Sequence, residues 1–425
     1  MSEPLKKKTD DQSFLRKLGP GLITGAADDD PSGIATYSQA GAQFGLNMLW
    51  TTLITFPLMV GIQIVSARIG RVTGEGLAAN IRRLFPRWVL LVVVALLVVA
   101  NTINIAADIA AMGDALQLVI GGGEHGHAVV FGLLSLLLQV FIPYQSYVRV
   151  LKWLTLSLLA YVAVAFSVHI NWAEAIRQSF APTLSFNPDF VAVVVAVFGT
   201  TISPYLFFWQ ASQEVEELRA GNGTSSLTST PEDARLHLRR IKLDTYVGMG
   251  FSNLIAFFII LSAAVTLHVA GITQIQTSAQ AALALRPIAG EFSFLLFSLG
   301  IIGTGMLAVP VLAGATAYAV ADSFGWRQGL DRKLFEAKEF YAIIAFATLG
   351  GVLLDFTSID PIKALFWSAV INGVIAVPIM VVMMLMATRV DVMGSFAIKR
   401  RLKFLGWLAT AAMALVVVTM LATAW

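Results

Sequence analysis

Apolar residues gather into eleven long stretches, at about residues 19–44, 47–69, 88–112, 128–145, 150–170, 188–213, 243–267, 289–322, 338–354, 361–388 and 404–424, separated by short polar connections. A helix needs about 20 apolar residues to cross a ~30 Å hydrocarbon core, so the pattern predicts eleven membrane-spanning helices. The stretch 128–145 is marginally short, and 289–322 is long enough to tilt or to reach past the membrane. Two stretches are interrupted by polar residues and proline at matching places in the two halves of the chain. The first interruption reads Ala27-Asp28-Asp29-Asp30-Pro31-Ser32-Gly33, the second Thr200-Thr201-Ile202-Ser203-Pro204-Tyr205. Lipid offers no partner to an unpaired backbone group, so a break at mid-membrane is tolerated only where it lines a polar cavity. Paired breaks in corresponding positions point to the substrate site of a transporter built from inverted repeats.

Composition agrees with a membrane location. The 425-residue chain is 57% hydrophobic and 13% charged, against about 25% charged in soluble domains. It has no cysteine, so neither disulfides nor thiolate metal ligands are available. Residues 1–18 are polar, carry Lys6, Lys7 and Lys8, and lack the apolar core of a cleaved signal peptide.

Charge tests the span count. With the N-terminus in the cytoplasm, 26 of the 29 basic residues fall in inner segments, and only Arg177, Arg286 and Lys363 lie outside. This satisfies the positive-inside rule and puts the C-terminus outside, with Trp425 as an interfacial anchor. The longest polar connection, 214–242, has the composition of a flexible linker at 220–226. No phosphate-cradling glycine loop and no nucleic-acid module is present. The basic residues are spread over six loops, so topology explains them better than a polyanion partner does.

Three consecutive acids in an apolar helix would each cost several kcal/mol if exposed to hydrocarbon. Pro31 removes a backbone donor, and Gly33 permits unusual dihedrals. Carbonyls and carboxylates together form the ligand set of a hard cation. Successive residues point in different directions, so Asp30, at the break itself, is the main candidate ligand, with Asp28 and Asp29 as accessories. The same acids would also serve as the cap of a helix that starts later, near the inner surface. The second break offers hydroxyls from Ser203 and Thr201, the phenol of Tyr205 and unpaired carbonyls, or else is a simple kink mended by its neighbours. Asn101, Asn104 and Asp108 share one face of the third span, where Asp108 either attracts ions or joins helices. Asn372 in the tenth span either reaches the same cavity or ties helices together. Gly303-Thr304-Gly305 reads as close helix packing. No histidine sits inside a span, and no nucleophile with its base suggests an enzyme.

Several ordered segments resemble the Nramp divalent-metal transporters. They are Gly19-Pro20-Gly21, Asp30-Pro31 with Gly41-Ala42-Gln43-Phe44-Gly45, Ser66-Ala67-Arg68-Ile69-Gly70-Arg71-Val72-Thr73-Gly74, the run around Gly303-Thr304-Gly305 and Leu312-Ala313-Gly314, and Val392-Met393-Gly394. The resemblance implies an all-α integral membrane protein of the LeuT-type fold: two inverted five-helix repeats plus an eleventh helix, with helices 1 and 6 broken at mid-membrane. The first repeat would occupy 19–170, the second 188–388 with the cytoplasmic loop 214–242, and the added span 404–424, after a cytoplasmic tail at 1–18.

Departures from the family pattern bear on chemistry. The family's Asp-Pro-Gly-Asn stands here as Asp30-Pro31-Ser32-Gly33, keeping the aspartate and losing the amide. Its Met-Pro-His stands as Ser203-Pro204-Tyr205, losing a thioether and an imidazole. The family's acids of the third span align with Ala107 and Ala110, with Asp108 adjacent but out of register. Soft thioethers favour transition metals, and oxygen donors suit magnesium and manganese. Magnesium keeps several waters on one or two carboxylates, so a widened oxygen-lined site around Asp30, Gly33 and Ser203 resembles that of the Nramp-related magnesium transporters. The expected substrate is Mg²⁺ or Mn²⁺, imported across the plasma membrane by alternating access. Backbone carbonyls near Ala27 and Thr201, and the Asn372 side chain, would assist. The membrane potential supplies roughly 4.6 kcal/mol per 100 mV to a divalent ion, so proton coupling is not required. No cofactor is expected, and the partners are the metal ion and the lipid bilayer around a monomer. The alternatives are a carrier of a small organic solute on the same fold, and a non-transporting sensor or scaffold.

Overall fold

The computed structural model describes residues 20–142, 146, 153–220, 234–356 and 360–423, with the side chains of Leu22, Glu124, Thr155, Ala220 and Arg235 excepted. The expected tail at 1–18, the centre of the polar linker at 221–226, Arg149, Lys152 and Trp425 lie outside the described residues. All regular structure among the described residues is helical.

Both expected breaks are present. The first span is split into α1 (Pro20–Asp28) and α2 (Pro31–Phe44). Asp30 caps α2 and Pro31 opens it, the position where a missing amide hydrogen costs nothing. Gly45, at φ +60°, ends α2, and a short 3₁₀ turn leads into α3 (Leu49–Thr73). Gly74 terminates α3 in the left-handed region, at φ +70°. After α4 (Leu77–Leu84) comes α5 (Arg87–Ile120), which runs eight residues beyond its apolar stretch of 88–112. Next are α6 (Glu124–Phe141), α7 (Leu159–Ser167) and α8 (Trp172–Phe180). The sixth span is split into α9 (Pro188–Thr201) and α10 (Pro204–Ala220), again with proline opening the second piece. The second half continues with α11 (Ala234–Ala263), α12 (Ser293–Phe324), α13 (Lys338–Asp355) and α14 (Pro361–Thr388), and α15 (Arg400–Thr423) follows.

By length and composition, seven helical stretches among the described residues could cross a membrane, or eight if Leu156–Ser167 and Trp172–Phe180, bent by 119°, form one span. The difference from eleven has a structural reason. The continuous stretch Pro31–Thr73 counts once although Gly45 divides it, the first break leaves α1 only nine residues long, the apolar part of α6, His125–Phe141, is short, and α13 carries Lys338, Glu339 and Asp355 at its two ends. At 1.5 Å per residue the 18-residue α6 and α13 reach about 27 Å each, close to the hydrocarbon thickness.

The packing exchanges elements between the halves. The first span packs on α11, the seventh, through both α1 and α2, while α10 of the sixth span packs on α3, the second. At the centre, α5 contacts α12, α13, α14 and α6. Small residues allow the closest approaches. A Cβ on Gly25 of α1 would overlap the Gly248 carbonyl of α11, and one on Gly199 of α9 would overlap the Ala369 carbonyl of α14. Gly303 and Gly305 are close-packing positions as expected, the first against Leu154 and the second against Met112 and Pro31.

Candidate functional site

The two breaks face each other. Tyr37 of α2 and Thr201 of α9 share a hydrogen bond of 2.9 Å between hydroxyls. The Tyr205 phenol of α10 donates to the Ala27 carbonyl of α1 at 2.9 Å. Ser32 and Thr200 approach to 3.5 Å through their hydroxyl oxygens, and a Cβ on Gly33 would stand 3.3 Å from Thr200 Oγ1.

Asp30 sits at this junction and is 2% exposed. Its backbone is extended, at φ −69° and ψ 169°. Oδ1 accepts from the Gly33 amide at 2.7 Å and from the Ser32 hydroxyl at 2.8 Å, and Oδ2 accepts from Asn104 Nδ2 at 3.0 Å. Asn104 in turn accepts from Ser368 Oγ of α14 at 2.7 Å. Asp30 therefore is a helix cap, but of a helix preceded by the nine-residue α1, and it is buried inside the bundle. Asp28 and Asp29 turn elsewhere. Both take the hydroxyl of Ser252 on α11, at 2.5 and 3.0 Å, and Asp28 Oδ1 has no partner.

Asp108 is fully buried next to the Ser32 backbone, and neither carboxylate oxygen completes a hydrogen bond of ordinary geometry. Asn372, 1% exposed, likewise has both amide atoms without a partner. It lies one turn beyond Ser368, next to Gly373, which packs against Gly199 and Val195. Two expected ligands are differently employed. Ser203 turns its hydroxyl into its own helix, donating to the carbonyls of Gly199 and Thr200 at 2.8 Å each. Thr201 Oγ1 donates to Val197 O at 2.7 Å. These bonds mend the carbonyls that the second break would strand. Among the described residues no group of three or more His, Asp or Glu converges as a ready metal cage.

Four buried aspartates at and beside the first break, Asp28, Asp29, Asp30 and Asp108, form no ion pair within 4 Å with a described Lys, Arg or His. Each would cost several kcal/mol to bury as an ion without a counter-charge. The junction therefore suits a positive guest. Asn104, Ser252 and Ser368 complete it from neighbouring helices, and Tyr37 from α2 itself. Asn104 was legible as part of a polar face. Ser252, Ser368 and Tyr37 carry no local signal, because their role depends on which helix lies opposite.

A cavity of about 570 Å³ opens on the face bearing Asp189 and Lys363, walled by Ala35, Gln39 and Val193 among others. Gln39 latches the segment over this cavity. Its Nε2 donates to Thr273 O at 3.2 Å and its Oε1 accepts from the Ile275 amide at 2.9 Å.

Two helices broken at the same place, touching through their breaks around a buried carboxylate, define a membrane transporter of the inverted-repeat, LeuT-type class. The architecture matches that of a manganese transporter from Eremococcus coleocola with a TM-score of 0.75 at 16% identity, covering 100% of this chain and 88% of that one. It also matches Mhp1, a nucleobase-cation-symport-1 family transporter, at 0.55 and 13% identity, covering 96% and 92%. Residues 21–423 match the family described as natural resistance-associated macrophage protein-like, and the chain belongs to this Nramp family. Similar relatives are the divalent metal cation transporter MntH of Deinococcus radiodurans, 26% identical over 93% of this chain and 86% of the relative, and that of Yersinia enterocolitica, 30% identical over 71% of each. The protein is a transporter and not an enzyme.

Proposed function

We propose that this protein imports divalent cations, Mg²⁺ or Mn²⁺, across the plasma membrane by alternating access, with Asp30 as the principal ligand. One observation carries the reading: Asp30 lies buried where the two helix breaks meet, and no described Lys, Arg or His pairs within 4 Å with it or with Asp28, Asp29 and Asp108. Relatives named as divalent metal cation or manganese transporters support the substrate class.

The donors at the junction are carboxylate, hydroxyl, amide and carbonyl groups. Such hard donors suit magnesium and manganese. Asp30 supplies the charge, Asp108 a second carboxylate, and Asn372 an amide whose atoms are otherwise unused. The Ala27 and Thr201 carbonyls add neutral oxygens. With so few protein ligands the ion retains part of its water shell, which magnesium gives up reluctantly. The cavity walled by Gln39 supplies the outer approach, the N-terminus is cytoplasmic, and the repeats 19–170 and 188–388 move against each other around the fixed site.

The test is uptake into proteoliposomes loaded with a metal-sensitive dye, under an inside-negative potential. Influx of Mg²⁺ or Mn²⁺ is expected from the intact chain and not from Asp30→Ala. Influx that is unchanged in Asp30→Ala contradicts the site.

A further inference from the structure

A second charged cavity, of about 210 Å³, lies between α4, the end of α10 and the chain that follows α12. No residue of the Asp30 junction takes part in its walls. Four arginines converge on it: Arg82, Arg219, Arg327 and Arg332. Only two carboxylates share the walls, and both are engaged. Glu75 pairs with Arg83 at 3.5 Å, and Asp322 accepts from the Gln328 side chain and the Ala79 amide.

The arginines are left in an unusual state. Arg82, Arg219 and Arg327 make no hydrogen bond and no ion pair within 4 Å among the described residues. Arg332 is oriented by a bond from Nε to the Gln328 carbonyl at 3.1 Å. Gly325, at φ +72°, lets the two walls close, since a Cβ there would stand 2.7 Å from Arg82 Nη1. Charge asymmetry across the membrane explains why arginines prefer this face. It does not explain why four of them, from three separate segments, surround one concavity with most of their donors unused.

Like charges held together in a concave wall raise the local positive potential and attract an anion. The guanidinium fork matches phosphate oxygens in pairs. At ~30 Å³ per water, the cavity has room for about seven waters, and so for a phosphate group with part of its ester. We infer that this cavity binds a phosphate-bearing anion, either a soluble phosphate or the headgroup of an anionic phospholipid. The bound anion joins α4, the end of the second broken helix at Arg219, and the segment after α12, and so stabilises the closed arrangement of this face.

Trp326 lines the cavity and stacks on Phe324 at 4.7 Å and 20°, which gives a local reporter. The purified full chain is titrated with inorganic phosphate at constant ionic strength, following tryptophan fluorescence and melting temperature. In parallel, native mass spectrometry is run after reconstitution with phosphatidylglycerol. The expected result is that phosphate shifts both signals, or that phosphatidylglycerol is retained. Either response weakens roughly tenfold for each of Arg82→Gln, Arg219→Gln and Arg327→Gln, the loss of one charge-assisted contact. Arg177→Gln, whose arginine pairs with Glu174 on α8 away from the cavity, keeps the full response. Response to phosphate identifies a soluble ligand, and retention of phosphatidylglycerol alone identifies the lipid. Arg327 is exposed in a connecting segment, so Arg327→Gln remains a folded test if the helical variants do not express. No response to either anion, or an equal response in Arg327→Gln, overturns the proposal.

Discussion

At the residue scale, Asp30 holds two roles that one substitution can separate. It caps α2 through the Gly33 amide, and it supplies the charge at the junction. Asparagine is as good a helix cap as aspartate, whereas alanine costs about 1 kcal/mol at such a position. Asp30→Asn is therefore expected to keep the melting temperature near that of the intact protein while abolishing metal uptake. A variant that melts normally and still transports would reduce Asp30 to a cap. Tyr205 belongs to the same scale. Its phenol occupies one lone pair of the Ala27 carbonyl, so Tyr205→Phe removes a bond across the breaks worth about 1 kcal/mol. A small drop in melting temperature, with folding retained, is expected from thermal unfolding. The acid beside Pro31 was legible because an aspartate inside an apolar stretch is rare and costly. The latch made by Tyr205 was not legible, and neither was the inward turn of Ser203, because a hydroxyl chooses among partners that only the folded neighbours define.

At the element scale, the structure separates prolines that break a helix from prolines that do not. Pro57, Pro310 and Pro378 lie inside continuous helices, whereas Pro31 and Pro204 open new ones. The preceding residue differs. Asp30 and Ser203 can satisfy freed backbone groups, whereas Phe56, Val309 and Val377 cannot. Hydropathy located the eleven apolar stretches but not their helix ends. The extension of α5 to Ile120 follows Asp114 and Gln117, the polar side chains that interrupt its apolar run, and the start of α11 at Ala234 lies in polar residues. Close helix contact makes a prediction here. Gly199 holds α9 against the Ala369 carbonyl. Gly199→Val would force the backbones apart, at a cost of about 1–3 kcal/mol or more, and is expected to lower folded yield in detergent. Unchanged yield and melting temperature would mean that the two helices are not held at this distance.

At the scale of the whole molecule, the basic face is closed by a network across three helices. Arg71 of α3 lies within 4 Å of Glu214 and Glu217 of α10, and bonds His237 of α11 at 2.7 Å. Arg240 of α11 pairs with the same two glutamates. Truncating one member of a buried charge network strands the others, at about 3–5 kcal/mol. Glu214→Leu should therefore loosen this face and favour opening toward it. The chain lacks cysteine, so single cysteines can report sidedness directly. With an impermeant maleimide added outside intact cells, Arg177→Cys is expected to label and Arg327→Cys is not. The reverse pattern would invert the topology drawn from the 26 basic residues.

The central claim is that the meeting point of the two breaks holds a divalent ion on Asp30. Crystals of the protein soaked in Mn²⁺ test it most directly, through the anomalous scattering of the metal. The strongest peak is expected between the Asp30 carboxylate and the break at Ser203, and is expected to vanish in Asp30→Asn. A peak held elsewhere, or one that survives the substitution, would contradict it.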